Sequence, residues 1–109
     1  MPIIRIDYDD EKLEKKEILD LSKAIQKIVS EATKIDDVFV YANSSQIKIR
    51  IAPIEIFIQM SKNKIKIKDV DKLLNDIKSK LSDWKNKNSF NHLINLTLIP
   101  MDWKIEIGI

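Results

Sequence analysis

The chain has 109 residues, a net charge of +2, no cysteine and a single glycine. That length predicts one domain over 1–109, with a modest core hiding roughly two-thirds of the unfolded surface. No apolar run approaches the roughly 20 residues of a membrane span, no secretory leader is visible, and the lack of cysteine excludes disulfides and thiolate metal sites, so the expected compartment is cytoplasmic.

The first predicted element is a strand at 2–8, where Ile4, Ile6 and Tyr8 alternate with Ile3, Arg5 and Asp7. Asp9 and Asp10 are N-cap candidates for a long helix at about 11–33. Ile18, Leu21, Ile25, Ile28, Val29 and Ala32 share one face of that helix. A strand at 38–42, a turn at 43–45 and a strictly alternating run at 46–51 read as a hairpin. Pro53 opens a further strand at 54–60, an allowed place for proline. A lysine-rich connection follows to Lys68, with a possible short strand at 64–67. Asp69 caps a second helix at about 70–85, with an apolar stripe of Val70, Leu73, Leu74, Ile77, Leu81 and Trp84. A strand at 93–99 ends at Pro100, and 104–109 alternates again.

The order contains two halves of like construction, each a strand, a helix and a strand. The expected fold is α+β, a duplicated β-α-β arrangement. Four main strands form the sheet, with two helices on one face. The short strands 46–51 and 104–109 are left with open edges, which need covering, and a second copy could supply the cover. The 21 isoleucines suit such a sheet, although genome composition also favours them.

The chemical inventory is narrow. There is no phosphate-binding glycine loop, no HExxH and no GxSxG. His92 is the only histidine and reads as a turn residue before a strand. Scattered carboxylates make no convincing metal site, and neither metal nor cofactor is expected. With 19 basic against 17 acidic residues, no large field points at nucleic acid or a membrane surface. The remaining candidate is Pro2. If Met1 is removed, Pro2 becomes a terminal secondary amine. An ordinary α-amino group titrates near 7.7–8.0 and a prolyl amine is more basic. Apolar surroundings and nearby cations would lower it toward the range of a general base. Position alone favours the plainer view of Pro2 as an ordinary second residue. Topology adds to the functional case. The first helix returns Lys34 toward Pro2. A pseudo-twofold would bring Met60, Ser61 and Lys62 to the same place. Taken singly, Lys34 reads equally well as a helix C-terminal charge and Lys62 as a solvated loop residue.

Pro2-Ile3-Ile4-Arg5-Ile6 before a long helix, and Pro53-Ile54-Glu55-Ile56 opening the second half, resemble the tautomerase superfamily, in an uncharacterised bacterial branch. The resemblance covers nearly the whole chain and rests on order and spacing. It implies a homotrimer in which short strands pair across subunits. It also implies cofactor-independent keto–enol proton transfer on a small carbonyl acid, with the processed Pro2 as general base. Lys34 falls at the position of an active-site lysine, and Met60 at a strand that walls the pocket. Asn95 falls near a polar pocket residue given by the neighbouring subunit. Neither Arg5 nor Arg50 can be placed on the arginine pair of the oxalocrotonate type. Lys62-Asn63-Lys64-Ile65-Lys66 stands where many relatives carry glycine. Two alternatives remain open: a catalytically silent trimer, and a ferredoxin-like module binding RNA, whose element order is also βαββαβ.

Overall fold

The computed structural model describes residues 2–61, 69–102, 104 and 106–109. Its elements are β1 (Ile3–Tyr8), α1 (Lys15–Thr33), β2 (Phe39–Asn43), β3 (Ile54–Ser61), α2 (Val70–Lys87) and β4 (Ile94–Met101). The strands form one sheet in the order β2-β1-β3-β4. β1 and β2 are parallel, β3 and β4 are parallel, and the central pair β1–β3 is antiparallel. Two β-α-β units therefore meet back to back about a pseudo-twofold, as the two halves of the sequence suggested. The ferredoxin-like alternative fails here. Its split βαβ inserts a strand between the two that flank a helix, whereas β1 and β2 are direct neighbours.

The strand alternation sorts side chains by face. Ile4 and Ile6 of β1, and Ile54, Ile56, Ile58 and Met60 of β3, are buried. The buried stripe of α1 is Ile18, Leu21, Ile25, Ile28 and Val29, and Ile77 and Leu81 are the buried residues of α2. All belong to one core, so both helices cover the same side of the sheet. Each fully buried isoleucine contributes about 1.5–3 kcal/mol of transfer free energy. No helix among the described residues is long and apolar enough to cross a membrane.

Four expectations need correction. Helix α1 starts at Lys15, later than residue 11, and neither Asp9 nor Asp10 caps it. Asp9 instead makes a turn: its carboxylate accepts the Glu11 N–H at 3.1 Å, and its carbonyl accepts those of Lys12 and Leu13. Local aspartate bonds of this kind compete with helix. The helix begins after Glu14, whose N–H is accepted by Glu17 at 3.1 Å. Second, β4 runs through Pro100, which pairs with Met60. β4 is an edge strand, where a missing donor can face outward. Third, 46–51 forms neither a strand nor a hairpin with β2. A strand exists only where a ladder partner satisfies its backbone, and none pairs with this run among the described residues. Fourth, Lys104 and 106–109 likewise carry no strand. The suggested strand at 64–67 lies outside the described residues.

Candidate functional site

Parallel β1 and β2 require α1 to return the chain to the starting end of β1. Lys34 is the cap of α1, so it arrives at that end. The ladder sets Ile3 opposite Phe39 and opposite Gln59. Met60 and Ser61, which close β3, and Pro100 and Met101, which close β4, thus lie at the same end of the sheet. Pro2 sits at the head of this cluster with a fully buried side chain, and its carbonyl accepts the Phe39 N–H at 3.1 Å. The site end is therefore apolar around Pro2, with Met60 about 1% exposed. Lys34 is exposed and holds a left-handed backbone, φ 58° and ψ 34°. Lys62 lies outside the described residues.

Asn95 is elsewhere. It stands opposite Glu55, which stands opposite Asp7. Five residues of strand, about 17 Å at 3.4 Å per residue, separate that row from Pro2. Its side-chain amide donates to Glu55 at 2.9 Å. Any contribution of Asn95 to a pocket at Pro2 has to come from another copy of the chain.

The sheet face without helices is layered by the same register. One row is Phe39, Ile3, Gln59 and Ile99; the next is Tyr41, Arg5, Phe57 and Thr97; the third is Asn43, Asp7, Glu55 and Asn95. The Arg5 guanidinium lies 4.6 Å from the centre of the Phe57 ring and 3.2 Å from Asp7. This face is open in the single chain, with Phe39 and Tyr41 exposed.

Sequence reasoning missed one cluster. Lys48, in the segment after β2, reaches Asp9 Oδ1 at 3.2 Å and also binds Asp10, and Ser44 reaches Asp10. Asp9 is lowered from the usual carboxylate range first by the Glu11 N–H and then by Lys48. Asp10 is lowered and Lys48 raised chiefly by their mutual hydrogen bond. His92 pairs with Glu17 at 2.8 Å and meets Phe90 edge-on at 5.1 Å. The hydrogen-bonded and ion-paired partners are 34 to 75 positions apart, so no local signal marks them. Among the described residues no group of three or more histidines, aspartates or glutamates could hold a metal ion.

No protein-family model matches the sequence, and no curated protein matches it. Solved structures do match in three dimensions. A 5-carboxymethyl-2-hydroxymuconate delta-isomerase superposes with a TM-score of 0.69 at 10% identity, over 99% of this chain and 89% of its own. A malonate semialdehyde decarboxylase superposes with a TM-score of 0.67 at 9% identity, over 97% and 92%. A fused 4-OT, solved as a symmetric trimer, gives 0.61 at 10% identity, over 99% and 93%. At these identities the likeness shows the fold alone: the chain has the duplicated β-α-β fold of these structures.

Proposed function

We propose that this chain is a tautomerase-type isomerase whose general base is the amine of Pro2, freed by removal of Met1. The observation that carries the reading is the convergence of Pro2, the end of α1 with Lys34, and the ends of β3 and β4 at one apolar corner. The substrate is a small carbonyl acid. Pro2 takes a proton from the carbon next to the carbonyl and returns it to another atom of the resulting enolate, so no redox change occurs and no cofactor is needed. Lys34 and Lys62 supply positive charge for the carboxylate or the enolate oxygen. Met60 forms the wall. The working unit is a homotrimer in the cytoplasm. In it the open sheet face is covered, 46–51 and the C-terminal residues pair across copies, and a neighbouring Asn95 completes the pocket. Two features of the matched structures support this: the fused 4-OT is a symmetric trimer, and the decarboxylase was solved also as a proline-to-alanine mutant.

One observation favours the alternative of a catalytically silent trimer. The Pro2 side chain is fully buried. The intact mass of purified protein tests the primary reading at its base. The expected mass lacks Met1. Quantitative retention of Met1 leaves Pro2 without a free amine and overturns the mechanism.

A further inference from the structure

The larger of the two described cavities, about 590 Å³, is a groove between α1 and the end of α2. It lies on the helix layer, away from the open sheet face. Its volume falls within the ordinary range of small-ligand sites, about 300–1,000 Å³. One wall is a stripe of α1 carrying Glu17, Asp20, Lys23 and Lys27, and the other is built by Trp84 and Phe90. The two rings are 5.2 Å apart and tilted by 47°, and Phe90 is buried. Ala24 lines the groove between the two lysines. Its short side chain leaves the space that a larger one would fill.

The charges along the stripe are ordered. Glu17 is already committed, to the Glu14 N–H and to His92. Asp20 therefore supplies the available negative charge. Among the described residues neither Asp20, Lys23 nor Lys27 forms an ion pair. Lys23 and Lys27 are four apart on a helix, where like charges repel. An anion held between them would relieve that repulsion. Asp20 lies one turn from Lys23, about 4.5 Å along the axis, and suits a cation beside that anion. A plain anion would face Asp20 and Glu17, and a plain cation would face the lysines. A molecule with both charges on neighbouring atoms and an apolar group fits all the walls.

We propose that this groove binds a free α-amino acid with an aromatic side chain, at a site separate from Pro2. Its carboxylate lies at Lys23 and Lys27, its ammonium at Asp20, and its ring against Trp84 and Phe90 in the space above Ala24. The test is an NMR titration of the whole protein with L-phenylalanine, alongside phenylacetate, which lacks the ammonium, and phenethylamine, which lacks the carboxylate. Phenylalanine is expected to shift the amides of Ala24, Ser89 and Phe90 and the Trp84 indole. Its binding is expected to be about tenfold or more tighter than that of either analogue. Lys23→Gln with Lys27→Gln should weaken it by a similar factor, and Ala24→Leu should block it, with the lysine variant melting no lower than wild type. Pro2→Ala should leave it intact, so this result stands apart from the fate of the proline mechanism. Equal binding of either analogue, shifts confined to the Pro2 end, indifference to the lysine changes, or no shift up to roughly 10 mM would each overturn the proposal.

Discussion

Lys34 occupies a backbone conformation that a residue with a side chain adopts at a cost of about 1 kcal/mol or more. Helices commonly end this way, but on glycine or asparagine. A lysine kept there, at the end of the sheet where Pro2 starts, is explained if its ammonium serves the reaction. Lys34→Gly is then expected to raise stability by up to about 1 kcal/mol, a gain of several degrees in melting temperature at this chain length. The same change should lower isomerisation about tenfold or more. Lys34→Ala should lose the same activity without the gain in stability, because the strain stays and the charge goes. Thermal melts and initial rates on the two variants check both halves. The placement of Lys34 was legible in the sequence, since a parallel β-α-β unit fixes where its helix ends. Its left-handed backbone was not, because no glycine or asparagine marks the position.

The cluster of Asp9, Asp10 and Lys48 acts at the scale of elements. It fastens the segment after β2 to the turn between β1 and α1. Both carboxylates are held below their ordinary value. Their contribution to stability is therefore present above the unfolded carboxylate pKa, near 3.9, and is lost as pH falls through the lower folded values. Lys48 is raised. Its contribution is present below the ordinary lysine value, near 10.4, and is lost as pH rises through the folded one. The fastening is thus complete from about pH 4 to about pH 10. The drop in melting temperature between about pH 6 and about pH 2.5 should be larger for wild type than for Lys48→Ala. Equal drops would show that the cluster does not hold the segment. Periodicity made β1, α1, β3 and α2 readable, because each buries one face and repeats at its own spacing. It misread 46–51. Alternation marks which residues could line a strand, but a ladder also needs a partner, and Lys48 holds this run against Asp9 and Asp10. Pro100 misled in the opposite direction, because only the strand order reveals that β4 is an edge.

For the whole molecule, the surface left by the single chain is informative. Ile47 and Ile49 are 87% and 99% exposed, and Ile107 and Ile109 are also exposed. The open sheet face adds Phe39 and Tyr41 beside Arg5 and Phe57. The proposed trimer would cover such surfaces. Sedimentation is expected to give the mass of three chains, and Ile47→Lys with Ile49→Lys to give one chain with its circular dichroism preserved. The duplicated fold was legible because both halves repeat the same pattern of elements. The gathering of the ends of β3 and β4 at the start of β1 was legible from the topology, whereas ion pairs across 38 or more positions and a groove between helices leave no trace in local spacing.

The central claim is that the Pro2 nitrogen moves the proton. It is tested most directly by following keto–enol conversion of phenylpyruvate with protein whose Met1 is shown by mass to be absent, beside Pro2→Ala processed in the same way. The variant keeps a terminal amine, but a primary one without the ring that places the prolyl nitrogen, so its rate is predicted to fall by about tenfold or more while its circular dichroism shows the same fold. Equal rates for the two proteins would contradict the account.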